Sequence, residues 1–295
     1  MEVRDHFKNG ASPKSLTSRG NFLRKVCFAL LYVLVVALML TAITACGGSG
    51  SSGSGKAAKI KMTTEQGGDI SFRLGGSGVA TVDWGDGSEK VSLTLNENEN
   101  IILGISIGGY GVEFKHTYPS ATIRNISING DNITVLDCKN CRLTSLVVTA
   151  LTELDCSSNQ LTSLDVSKST ALIELNCRGN QLTSLDVSKN TALIELDCSS
   201  NQLTSLDLSK NVELKNRFDE RRYNIKAALN CNDNKFTAAS LNFLFGTLHD
   251  NNISDIIVDG RIISKGKFIG IYRNPGTNDC NRNIAENKGW EVLGD

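Results

Sequence analysis

At 295 residues the chain is long enough for two domains of roughly 100 to 200 residues, and 40% apolar with 21% charged residues excludes a chain disordered throughout. Its 31 Lys and Arg balance 31 Asp and Glu, which excludes nucleic-acid binding driven by bulk positive charge. Residues 1–25 hold six Lys/Arg against two acids, leaving 25 basic and 29 acidic residues after Cys46, a net of −4. Three Pro, 27 Gly and 6% aromatics describe a turn-rich chain with a light aromatic core.

Arg24-Lys25 precede an uncharged run from Val26 to Ala45 that ends Ile43-Thr44-Ala45-Cys46-Gly47. A basic n-region, an apolar h-region and small residues before a cut form a secretory signal. The same length would also span a bilayer with its basic flank cytoplasmic. The Ile-Thr-Ala-Cys tetrad resembles the bacterial lipobox. That resemblance implies a signal peptide over 1–45, cleavage before Cys46, a diacylglycerol on the Cys46 thiol and an address in the cell envelope, the outer membrane being favoured. Residues 46–57 read as a Gly/Ser tether, which behaves as a flexible coil.

From 58 to 130 short alternating runs are broken by Gly and Asn: Ile60–Met62, Ile70–Leu74, Val79–Trp84, Val91–Leu95, Val112–Phe114 and the set Ile123, Ile126, Ile128. Period-two alternation at this spacing predicts an antiparallel β-sandwich. Trp84-Gly85-Asp86-Gly87-Ser88, followed some thirty residues on by His116-Thr117-Tyr118, resembles the PKD domain, an Ig-like sandwich. The resemblance implies a structural role for Asp83, Asp86 and His116 around a core Trp84, and a domain acting as a stalk. Pro119–Ile123 departs from the family pattern before the last strand.

Residues 131–236 carry a repeat. Residues 161–181 and 182–202 are identical at 17 of 21 positions, and self-similarity of this kind signals a solenoid. The frame Leu151-x-x-Leu154-x-Cys156-x-x-Asn159-x-Leu161 recurs from Leu172 and from Leu193 and matches the leucine-rich-repeat consensus with Cys in one Leu slot. Imperfect rungs at Cys138 and Cys231 bracket these three, the second after an insertion of 12 residues. Each rung has an apolar side that only its neighbours can bury. Cys138-Lys139-Asn140-Cys141 alone suggests redox chemistry or half a zinc site. Register favours another reading: Cys138 shares the strand slot of Cys156, Cys177, Cys198 and Cys231, and Cys141 fills the Asn slot. Buried stacked thiols are therefore expected ahead of disulfides or metal.

Residues 237–295 read as an α/β cap, with helical spacing over Ala238–Leu248 and strand-like runs at Ile253–Val258 and Phe268–Tyr272. The order lipobox, tether, PKD-like domain, 21-residue repeats and this ending resembles leucine-rich-repeat surface lipoproteins of Bacteroides-type bacteria, and more distantly the internalins, which bind host receptors on the strand face. The fold class is thus mainly β, a PKD-like sandwich followed by a short leucine-rich-repeat solenoid with an α/β C-terminal cap.

The only His residues after Cys46 are His116 and His249, on different segments, so no Ser–His–Asp or Cys–His set can be assembled, and no Gly-rich run has P-loop spacing. The sequence points away from an enzyme and calls for no cofactor, metal or nucleic acid. Binding is expected on the outward strand side, at Glu153, Asp155, Ser157, Glu174, Asn176, Arg178, Glu195, Asp197 and Ser199. The insertion adds Phe218, Arg221, Arg222 and Tyr223, the composition of interface anchors. A protein on a host or neighbouring-cell surface is favoured over a glycan, because this strand face carries no aromatic; a glycan-binding accessory lipoprotein of polysaccharide uptake is the alternative. Whether the chain faces outward or into the periplasm stays open.

Overall fold

The computed structural model describes residues 59–95, 111–219, 224–250 and 267–294, with short strands at 101–102, 105–106, 256–258 and 261–264. The expected signal peptide, Cys46 and tether lie outside the described residues. The strands in chain order are β1 (Ile60–Thr64), β2 (Gly68–Asp83), β3 (Val91–Leu95), β4 (Ile101–Ile102), β5 (Ile105–Ser106), β6 (Val112–Tyr118), β7 (Arg124–Asp137), β8 (Leu143–Val147), β9 (Glu153–Asp155), β10 (Glu174–Asn176), β11 (Glu195–Asp197), β12 (Arg217–Asp219), β13 (Asn224–Lys226), β14 (Leu229–Asn230), β15 (Ile256–Val258), β16 (Arg261–Ser264), β17 (Lys267–Gly270) and β18 (Trp290–Leu293). Helices span Ala238–Thr247 and Asn283–Glu286. The chain is mainly β, and its centre is a β-solenoid of about six turns.

Two strands are longer than the sequence predicts. Gly75-Gly76-Ser77-Gly78 reads as a break, yet β2 runs straight through it, with register shifts against β7 at Gly75/Gly76 and between Ser77 and Ala80. Gly76 has φ 134°, and a Cβ there would meet the Asn132 carbonyl oxygen at 1.8 Å. Glycine here lets two strands approach and bend together, where a side chain would force them apart. Opposite it, β7 passes through Gly130-Asp131 in the same way, so one 14-residue strand crosses the boundary expected between 130 and 131.

That strand organises the N-terminal half. One edge of β7 pairs antiparallel with β2 over most of its length, from Asp83↔Ser127 to Arg73↔Asp137. Its other edge pairs first with β1, Ile60↔Ile128 to Thr64↔Arg124, and then in parallel with β9, Val135↔Glu153 to Asp137↔Asp155. β1 in turn pairs antiparallel with β8. β6 and β3 pair with β2. The buried side chains form one contiguous core from Ile60 to Val292.

From β7 onward the rungs stack in parallel and in register: Leu136, Leu154, Leu175, Leu196, Leu229 and Ile269 are successive partners. The last step departs from expectation. β17 and β18 continue the parallel sheet, so part of the expected cap is more solenoid. The helix Ala238–Thr247 forms as its spacing predicts, starting where Thr237 accepts a hydrogen bond from the Ser240 amide and burying Leu241, Leu244 and Phe245. The insertion is a hairpin in which β12 and β13 pair with each other.

Candidate functional site

Each rung turns on an asparagine. The Asn180 amide nitrogen donates to the carbonyls of Cys156 and Cys177, both at 3.0 Å, and its oxygen accepts the Leu161 amide at 3.0 Å. Asn159, Asn201, Asn234 and Asn274 make the same set, each tying its own rung to the one before. The Asn201 to Asn234 step spans the insertion without breaking the ladder, because the extra residues leave as a hairpin. The residue before the ladder position is left-handed throughout: Asn140, Ser158, Gly179, Ser200, Asp233 and Arg273 have φ between 53° and 67°. A second ladder on the return side joins Ser169, Asn190 and Asn211; the Asn190 amide donates to the Val166 and Ser169 carbonyls at 3.0 and 2.8 Å.

Cys138, Cys156, Cys177, Cys198 and Cys231 are fully buried in the strand slot, and every cysteine of the described residues is a free thiol. Burial pushes these thiols well above their ordinary pKa, and that of Cys141 up to about 12, so none is a thiolate near neutral pH. Parallel stacking sets neighbours about 4.8 Å apart with side chains running alongside rather than converging. Among the described residues no group of His, Cys, Asp and Glu is arranged to hold a metal. Cys156, Cys177, Cys198 and Cys231 are expected to resist alkylation in native protein and to react fully in denaturant; stoichiometric native disulfides or bound zinc, read by mass spectrometry, would contradict this.

Inward packing of the Leu and Cys slots sends the flanking residues outward, but not into open solvent. Of the nine strand-face residues expected to bind, Glu153, Asp155, Glu174, Asn176 and Asp197 are half-buried, and Ser157, Glu195 and Ser199 are buried; Arg178 is exposed. For the three buried residues the expectation of a freely exposed row is corrected. For the two serines the cause is local. The Asp155, Asn176 and Asp197 side chains each accept the amide two residues on, at 3.0–3.2 Å, folding the turn over Ser157 and Ser199, whereas the longer Arg178 stays exposed. Burial holds the Asp155 carboxyl above its ordinary pKa. The four differences between the two most similar rungs thus separate: 169/190 lies in the return-side ladder, 179/200 in the left-handed slot, 176/197 in the turn, and only Arg178 against Ser199 changes the exposed surface.

The same outward slots continue onto the two added rungs. β14 pairs Asn230 with Gly270, which puts Phe268 in the column of Glu195 and Tyr272 in the column of Ser199. Both are half-buried, and the Tyr272 amide donates to the Asn232 side chain at 2.7 Å. The strand face therefore does carry aromatics. The signal was legible: Ile269-x-Ile271-x-x-Asn274 repeats Leu-x-Cys-x-x-Asn without its leucine and cysteine.

At that end stands the hairpin. Its base is pinned by buried Asn216, whose side-chain oxygen accepts the amides of Ala228 at 3.0 Å and Phe268 at 2.7 Å. Phe218 lies on β12, but its side chain is outside the described residues, as are Arg221, Arg222 and Tyr223.

The other motif is structural chemistry. Trp84 is buried; the His116 ring stacks on it at 4.9 Å and its Nε2 lies 2.7 Å from an Asp86 oxygen. Asp86 also accepts the Ser88 hydroxyl and amide, and these bonds, with His116, hold its carboxyl well below the usual carboxylate range. Asp83 accepts the Gly85 amide.

No protein-family model matches the chain, and no curated protein matches it. Among solved structures it is similar to the functional domain of InlJ from Listeria monocytogenes, which includes a cysteine ladder. The identity is 24% over 52% of this chain and 47% of that one, with a TM-score of 0.28. The chain spans about half the length of that protein.

Proposed function

We propose that the chain is a non-catalytic binding module, held at the bacterial envelope by a lipid on Cys46, that takes a protein partner at the C-terminal end of its strand face. The observation that carries the reading is the hairpin β12–β13, set on that face by Asn216. A 12-residue insertion that leaves the asparagine ladder intact costs the solenoid little, and its sequence carries Phe218, Arg221, Arg222 and Tyr223, while the neighbouring rung carries Phe268 and Tyr272. Aromatic and arginine side chains are what binding anchors are made of. The segment 58–130 fits a PKD-like domain through its Trp84–Asp86–His116 turn, and the lipobox and Gly/Ser tether fit a position on the outer membrane.

A glycan partner is the second reading, favoured by Phe268 and Tyr272, since sugar rings stack on aromatic faces. One experiment tests both. In a chain beginning at Lys59, replacing Arg221, Arg222 and Tyr223 together by Ala should weaken capture of a protein partner at least tenfold. The melting temperature should stay within a few degrees, as surface changes cost under about 0.5 kcal/mol each. Undiminished capture by that variant, with loss on replacing Phe268 and Tyr272, would move the reading to a glycan.

A further inference from the structure

The first rung is closed by a strand that does not belong to it. Its front is the C-terminal half of β7 and its back is β8; β1 bridges that back to the N-terminal half of β7, through five register pairs from Ile60↔Ile128 to Thr64↔Arg124 and a further set, Lys61↔Val147 to Thr64↔Leu143, to β8. Side chains reinforce the crossing: the Thr64 hydroxyl donates to the Cys141 carbonyl at 2.6 Å and the Thr149 hydroxyl to the Lys59 carbonyl at 3.1 Å. Ile60, Met62 and Thr64 are fully buried beneath it.

β1 is also the first strand of the described chain, so any pull on the residues ahead of Lys59 reaches it before any other strand. What remains without it, β8 apart, is held independently. β2 covers the opposite edge of β7 across the whole junction, and the rungs from Leu151 onward are joined by their own ladders. Only three residues, Glu65 to Gly67, link β1 to β2.

We propose that β1 is a releasable strap: tension on the N-terminal chain strips it from between β7 and β8, lengthens the tether, and leaves the ligand-bearing rungs folded. An anchored binding module would thereby take up a pull before its binding face is lost. That use rests on the envelope-anchored reading, whereas the mechanics do not, and testing them needs no membrane.

The chain is held by its two ends in optical tweezers. Release of residues 59–67 should appear as a first extension of up to about 3 nm, the contour of nine residues at roughly 3.3–3.6 Å each less the distance they span when folded, before the large unfolding step. Oxidised Lys61→Cys/Val147→Cys, which joins two exposed register partners, should abolish that first step. A single rupture of the whole chain, or a first step that survives the cross-link, overturns the proposal. In bulk, Ile60→Asp/Met62→Asp in the full chain should raise amide exchange at Leu143–Val147 at least tenfold while Cys177 and Cys198 stay unreactive to alkylation; simultaneous exposure of those thiols would show that β1 is an indispensable cap instead.

Discussion

A chain cut at Gly130, keeping only the repeats and the C-terminal segment, is expected to lose cooperative folding. The cut removes β1, β2 and half of β7, and with them both edges that cover the first rung. Ile133, Leu136, Leu143 and Leu146, all at most 6% exposed, would face water. At about 1.5–3 kcal/mol for each fully buried apolar side chain, four of them put the loss at roughly 6 kcal/mol or more, comparable to the 5–15 kcal/mol that holds a whole domain. Circular dichroism and size exclusion should show a broad, non-cooperative melt or aggregation, against a single sharp transition for a chain starting at Lys59. A melting temperature within a few degrees of that longer chain would mean the repeats cap themselves. The segment 58–130 shares a strand and a core with the solenoid.

The second large effect is expected at Asn180. Its replacement by Ala leaves the Leu161 amide without its side-chain acceptor and takes one of two asparagine donors from each of the Cys156 and Cys177 carbonyls, which keep Asn159 and Asn201. A buried polar group left unsatisfied costs about 1–3 kcal/mol, so a loss of roughly that size in urea denaturation is expected. Gln181→Ala, on the exposed neighbour, should stay within about 0.5 kcal/mol. Equal effects of the two variants would show that the ladder does not hold the rungs.

The parts of this fold that repeat were legible in the sequence, and the parts that join were not. Twenty-one-residue periodicity located Leu154, Cys156 and Asn159 and their counterparts in the slots they occupy, because each rung solves the same packing problem. Gly75–Gly78 and Gly130 read as breaks, since from one strand alone a glycine bulge and a turn look alike; only the pairing of β2 with β7 tells them apart. β17 was hidden because it keeps the asparagine of the motif while losing its leucine and cysteine. Outward alternation placed Ser157 and Ser199 on the right face but said nothing of the turns that fold over them. Arg178 is the fully exposed member of the expected row, Glu153, Asp155, Glu174, Asn176 and Asp197 are half-buried, and Phe268 and Tyr272 extend it.

The most direct test of the binding account is amide exchange with and without the captured partner, on a chain beginning at Lys59. Protection is expected in the hairpin, residues 217–226, and along the outward columns at Asn176–Arg178, Asn230–Asn232 and Phe268–Tyr272, with exchange elsewhere unchanged. Protection confined to β3 and β6, or to the return side around Asp165, Asp186 and Asp207, would place the partner on another surface and contradict the account.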